Sequence, residues 1–204
     1  MRSDSSPDPA GRTRRLFVAL ELPEPVRTAI EAWAESELAA VGSLRPVRVD
    51  GLHVTLCFLG STADGEVEAI GACCRAASAG RGPLRLSIGE LLALPRRRPR
   101  AVTARIGDES RGQLTELQNG LAGALAAGGW YRPESRPFLA HVTVARIRSG
   151  ARLDARALAD RTGVAPLSER LPTAFSANVV TLFESQTQPG GAVYLPRARI
   201  ELAA

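Results

Sequence analysis

The chain of 204 residues contains no lysine; its 26 basic side chains are all arginine. A lysine amine is what carries a covalent nucleotide in an ATP-dependent ligase and what reaches phosphates from a P-loop, so both chemistries are closed. Cysteine is scarce and odd in number (Cys57, Cys73 and Cys74), which gives no disulfide framework. The adjacent Cys73 and Cys74 read as small core residues on a helix. No zinc-ligand spacing is present, and no carboxylate cluster flanks either histidine, so the expectation is no metal and no cofactor. No apolar run reaches the length of a membrane span, and the start lacks the apolar core of a secretion signal. The expectation is therefore a cytoplasmic protein without membrane contact. What remains is an ordinary globular composition, 45% hydrophobic and 23% charged, with a net charge of +5. That surplus favours an anionic partner.

Histidine is scarcer still. The two that occur open the same frame, His53-Val54-Thr55-Leu56 and His141-Val142-Thr143-Val144. Apolar neighbours make each frame a strand, and on a strand residues i and i+2 share a face. His53 therefore projects with Thr55, and His141 with Thr143. With threonine near one residue in twenty, two histidines both followed by Thr at the second position are roughly a 0.3% coincidence. Histidine titrates nearest neutral pH. The pattern points to a two-histidine acid–base site with paired hydroxyl donors.

Strand and helix patterns alternate along the chain. Residues 15–22 read as a strand, 23–41 as a helix, 47–49 as a short strand and 52–59 as the first histidine strand. A helix over 64–79, capped by Asp64, follows. Strands over 84–94 and 100–106 flank the turn Arg96-Arg97-Arg98-Pro99-Arg100. A helix over 109–127, the second histidine strand over 138–148, a short helix over 153–160, and strands over 170–185 and 192–202 complete the chain, with Gly190-Gly191 as the closing hairpin turn. Residues 1–13, rich in Ser, Asp, Pro and Arg, read as a disordered tail, leaving 14–204 as one domain. The order strand, helix, histidine strand occurs twice, over 15–59 and 100–148, which looks like a degenerate duplication.

With its two His-x-Thr-x motifs, the chain resembles the 2H phosphoesterase superfamily, and within it the RNA 2′,3′-cyclic phosphodiesterase (2′-5′ RNA ligase) family. The similarity lies in the opening strand Arg15-Leu16-Phe17-Val18-Ala19-Leu20-Glu21-Leu22-Pro23, in Leu52-His53-Val54-Thr55-Leu56-Cys57-Phe58-Leu59-Gly60, in Phe138-Leu139-Ala140-His141-Val142-Thr143-Val144-Ala145-Arg146, and in a closing hairpin with Ser185 and Tyr194. Ala140 is a departure, since the family has proline there. The resemblance implies an α+β fold of two pseudo-symmetric lobes, with antiparallel sheets facing a central cleft and helices outside. It implies metal-independent opening of an RNA-terminal 2′,3′-cyclic phosphate to a 2′-phosphomonoester, and 2′-5′ joining of RNA ends by the same site. His53 would be the proton donor, His141 the proton acceptor, and Arg146 and Tyr194 would contact substrate. The implied partner is RNA with a cyclic phosphate end, tRNA-derived fragments among the candidates, acted on by a monomer.

Strict alternation puts Arg146 on the face opposite His141, so a bulge or strand end has to re-aim it. Arg96, Arg97, Arg98 and Arg100 are candidates for phosphate-backbone contacts at the cleft rim. Trp130, Tyr131 and Phe175 are candidates for stacking on a base. Two other readings stay open. One is a related activity on small cyclic nucleotides or 2′-5′ oligonucleotides. The other is an RNA-binding module without catalysis, against which the two intact imidazoles argue.

Overall fold

Leu16, Val18 and Leu20 alternate with Phe17 and Ala19, yet all five are buried, so the strand they form is covered on both faces. In the computed structural model, which describes residues 11–164, 166–169, 171, 174–188 and 191–203, this strand is β1 (Thr13–Glu21). It is followed by α1 (Glu24–Trp33), β2 (Leu44–Pro46), β3 (His53–Ala63), α2 (Val67–Ser78), β4 (Leu84–Leu94), β5 (Ala101–Asp108) and α3 (Gln113–Ala127). Then come β6 (His141–Ile147), α4 (Ala155–Val164), β7 (Phe175–Ala177), β8 (Val179–Gln188) and β9 (Gly191–Glu201). The fold is α+β, as expected.

Eight strands lie in the order β7-β4-β5-β6-β3-β1-β8-β9, with β2 pairing on β6. Every pairing is antiparallel. The order divides into two quartets, each with its histidine strand innermost. The strand next to it, β1 or β5, precedes it in the chain across a helix, so the duplicated order of the sequence is also a duplicated arrangement in space. The quartets touch through β3 and β6 at one registered pair, Val54 with Val142. Helices cover the outside: α3 packs on β3, α2 on β9, and the two helices on each other. Leu114, Leu117, Leu121 and Leu125 form the buried stripe of α3 at helical spacing.

Several local expectations shift. The short strand lies at Leu44–Pro46 rather than 47–49, because the pairing with Ala145–Ile147 of β6 is made there. Val49–Gly51 is instead a tight 3-10 turn that delivers His53. Asp64 does not cap the second helix; it takes the guanidinium of Arg14, and α2 starts at Val67 after a 3-10 turn. The third helix starts at Gln113, because Arg111 and Gly112 have positive φ (58° and 96°) and turn the chain first. Asp108 then receives the backbone N–H groups of Ser110 at 2.8 Å and Leu114 at 2.9 Å. The strand expected over 170–185 breaks at Asn178, whose carbonyl accepts from Leu202 N–H. The expected tail lies outside the described residues up to residue 10, and Thr13 already belongs to β1; residue 190 of the hairpin turn is outside them as well.

An ion cluster ties the outer strands together. Glu184 on β8 is 6% exposed. It accepts from Arg14 at 2.5 Å, from Arg197 Nε at 2.8 Å and from Gln186 at 2.8 Å. Burial alone would raise the carboxyl pKa, but the donors from Gln186, Arg14 and Arg197 outweigh it and hold it at about 2. Folded Glu184 thus binds its proton more weakly than the unfolded residue. Its stabilisation is complete above the ordinary carboxylate range and disappears as pH falls through that range toward 2. Glu184→Gln should cost about 1–3 kcal/mol at neutral pH, since it leaves charged donors short of an acceptor. Urea titrations at pH 7 and pH 3 check this: the difference between variant and parent should shrink at the lower pH, and a constant difference would remove the electrostatic account.

Candidate active site

The pairing of Val54 with Val142 fixes the site. In an antiparallel pair, stepping one residue along β3 means stepping one back along β6. His53 therefore faces Thr143 across the seam, and Thr55 faces His141. Both valines point into the core and are fully buried, so by the period of two all four polar side chains share the other face. The result is a two-by-two array in which each imidazole sits beside its own threonine along the strand and the other threonine across the seam.

Each ring is steered by the backbone two residues earlier. Nδ1 of His141 donates to the carbonyl oxygen of Leu139 at 2.7 Å. That leaves Nε2 to accept a proton in the neutral ring and to donate one in the charged ring. His53 hydrogen-bonds the Gly51 backbone in the same way. Its surroundings lower its pKa to about 4: burial contributes most, then the positive charge of Arg146, with His141 opposing further and the Gly51 bond working the other way. The environment of His53 is aromatic. Phe17 lies 4.9 Å from it ring to ring, Tyr194 meets it edge-on at 5.1 Å, and Phe183 lies 6.1 Å away.

Beyond the threonines, both histidine strands bulge. Against β5, Val102 pairs with Ala145 and Thr103 with Thr143, which leaves Val144 as an extra residue. Against β1, Val18 pairs with Cys57 and Ala19 with Thr55, which leaves Leu56 extra. A bulge advances the alternation by one residue. Leu56 and Cys57, like Val144 and Ala145, consequently both turn inward and are buried. The next residue returns to the cleft face. On β6 that residue is Arg146, which lines the same cleft as His53 and donates to the Tyr194 hydroxyl at 3.4 Å. The re-aiming that Arg146 required is thus supplied by Val144. On β3 the equivalent residue is Phe58, 51% exposed, with the Arg15 guanidinium 5.7 Å from its ring centre.

The cleft beside His53 has a volume of about 730 Å³. Its walls are the Val49–Gly51 turn, the β8–β9 hairpin, Arg27 of α1 and Arg45 of β2. Tyr194, a substrate-contact candidate from the resemblance, lines it. Arg96, Arg97, Arg98 and Arg100 do not line it; they occupy the exposed β4–β5 turn, where Ala101 pairs with Arg146 at the end of β6. The stacking candidates are elsewhere. Phe175 is in the core, Trp130 and Tyr131 pack against the core, and Trp130 Nε1 donates to Glu66 at 3.1 Å. Phe17, Phe183, Arg27, Arg45 and Arg48 went unnoticed in the sequence. The aromatics carried one signal: only nine occur, and three of them surround one histidine. Among the described residues, no three of His, Cys, Asp and Glu cluster as metal donors, and no helix is long and apolar enough to cross a membrane.

Residues 22–188 match the 2′-5′ RNA ligase superfamily model. An RNA 2′,3′-cyclic phosphodiesterase of Escherichia coli (strain K12) is 32% identical over 139 residues, covering 68% of this chain and 74% of that protein. One from Archaeoglobus fulgidus is 31% identical over 135 residues, covering 66% and 73%. Among solved structures, E. coli LigT complexed with 3′-AMP superposes with a TM-score of 0.69 at 25% identity, over 95% of this chain and 100% of that one. A protein of Thermus thermophilus superposes with a TM-score of 0.73 at 24% identity, over 92% and 97%, which supports the fold. With paired His-x-Thr strands meeting across one seam and a family match over most of its length, the chain belongs to the 2′-5′ RNA ligase superfamily.

Proposed function

We propose that this protein is an RNA 2′,3′-cyclic phosphodiesterase that opens the terminal ring without a metal. The observation that carries the reading is the two-by-two array of His53, Thr143, Thr55 and His141 on one face. In-line opening of a cyclic phosphate needs a base beside the attacking water and an acid beside the leaving oxygen, on opposite sides of phosphorus. Two imidazoles across a seam meet that need. Water attacks phosphorus and gives its proton to His141; the P–O3′ bond breaks, and His53 protonates O3′, leaving a 2′-phosphomonoester. Thr55 and Thr143 hydroxyls hold the non-bridging oxygens as charge builds on them. Arg146, beside the Tyr194 hydroxyl, adds a positive charge. Ring strain already lowers the barrier, so two acid–base groups, each worth about 10²–10⁴ in rate, suffice. With a 5′-hydroxyl in place of water the same site yields a 2′-5′ linkage without ATP. Phe58, flanked by Arg15, offers a stacking face for a base at the other end of the array.

His53→Ala and His141→Ala should each lower kcat on a 2′,3′-cyclic-phosphate-ended oligonucleotide by about 10²–10⁴ while leaving its binding largely intact. EDTA should leave the parent rate unchanged; a rate lost to chelator and restored by a divalent ion would replace this mechanism with a metal-assisted one. Parent-like turnover in either histidine variant would remove the paired acid–base scheme.

The pH dependence tests the role of His53. At about 4, its pKa makes the ring neutral at pH 7 in the empty cleft. A donor must carry a proton, and the monoanionic ring supplies the charge that favours it, opposing burial and Arg146. The limb belonging to His53 should therefore lie at higher pH in kcat, which reports the complex, than in kcat/KM, which reports the free enzyme. With His53 as donor that limb descends with rising pH, and kcat is bell-shaped around neutrality. An ascending limb near 4 would exchange the two histidine roles.

The four arginines of the 96–100 turn are assigned to affinity for longer RNA. Neutralising Arg96, Arg97, Arg98 and Arg100 together should flatten the salt dependence of oligonucleotide binding, because fewer counterions are released. Titrations at several salt concentrations measure it; an unchanged slope would leave the turn without a role in binding.

A further inference from the structure

The cleft does not end at His53. It continues between α1, the Val49–Gly51 turn and the β8–β9 hairpin, where Arg27, Arg45, Arg48 and Arg199 line it with Glu21 and Asp50. With Arg146 at its mouth, five guanidinium groups meet two carboxylates. One of those carboxylates is already engaged: Glu21 accepts from Arg199 at 3.0 and 3.1 Å and from the Thr181 hydroxyl at 2.5 Å. Asp50 is then the one other carboxylate lining the recess beside Arg27 and Arg48, so the recess keeps a surplus of positive charge. A second observation points to anion binding. Nε of Arg27 is buried and has no hydrogen-bond acceptor among the described residues. A buried donor left unpaired is costly, and a phosphate oxygen is the acceptor that a guanidinium fork matches best. A cyclic phosphate held between the histidines accounts for Arg146 but reaches only one end of a cleft of about 730 Å³.

We propose that this recess is a second anion subsite, which takes the phosphodiester on the 5′ side of the terminal nucleotide and so separates an RNA end from a free cyclic nucleotide. The inference rests on the reading of the array as a cyclic phosphodiesterase site. Arg48 is exposed and immediately precedes the 3-10 turn. Arg27 is its inner member, on the first turn and a half of α1. The turn that places Arg48 also delivers His53, so binding of a second phosphate and alignment of the imidazole share one short segment.

The test uses four substrates: a nucleoside 2′,3′-cyclic phosphate, the same compound with a 5′-phosphate, a dinucleotide ending in the cyclic phosphate, and that dinucleotide with an uncharged methylphosphonate linkage. The dinucleotide should exceed the bare cyclic nucleotide in kcat/KM by about tenfold or more, as expected for one charged hydrogen-bond pair. The methylphosphonate should remove the advantage. Arg48→Ala and Arg27→Gln should each reduce the ratio of dinucleotide to methylphosphonate toward one. The 5′-phosphorylated mononucleotide separates the sources of the anion: if it matches the dinucleotide, the subsite reads any phosphate at that position; if it lags, it reads the diester. A methylphosphonate that keeps the full advantage, or a ratio untouched by both substitutions, overturns the subsite. If no substrate is turned over, the function reading fails on its own. Calorimetric binding of the dinucleotide 2′-phosphate against its methylphosphonate analogue then decides the subsite separately, with equal affinities overturning it.

Discussion

Everything at the site depends on where Val54 meets Val142. The two halves of the sheet are joined there by one registered pair. Because side chains alternate with a period of two, a slip of one residue on either strand would send a histidine and its threonine into the core and bring valines to the surface. Burying both valines, with Leu56 and Val144 after them, makes that slip expensive. The position of the polar array is therefore decided by apolar packing on the face that no substrate meets.

Charge is arranged around the same seam at two levels of commitment. Arg14 and Arg197 are closed on Glu184, and Arg199 on Glu21; these pairs stitch β1, β8 and β9 together. Two guanidinium groups of the cleft are more loosely engaged: Arg146 has a 3.4 Å bond to a phenol, and Arg27 has a buried Nε with no acceptor among the described residues. Burial first, and then the charge of Arg146, lower the pKa of His53 to about 4.

The strands and the four central residues were legible because period-two alternation and the His-x-Thr frame are local signals. The duplicated order of strand, helix and histidine strand pointed to the two histidine strands coming together, but it did not fix the other pairings. What was hidden lies in backbone irregularity and in long-range contact. No composition rule places an extra residue at Leu56 or Val144, so Arg146 was recognised as a problem of orientation without its solution, and Phe58 was not recognised as its counterpart. The Arg96–Arg100 run drew attention by density in sequence, whereas the arginines of the cleft, 27, 45, 48 and 199, are scattered over four segments and converge only through packing. Asp64 looked like a helix cap, because a local rule cannot see Arg14 arriving from another strand.

The twin bulges carry a further consequence. Along the two strands, up to the second threonine, the halves carry the same frame of imidazole, valine and hydroxyl. A site with that symmetry has no sense of direction and would accept its substrate either way round. The first position at which the halves differ on the cleft face is the one after each bulge, an aromatic ring on one side and a guanidinium on the other. Phe58 and Arg146, each set by its bulge, thus give two otherwise matched strands a direction along the array.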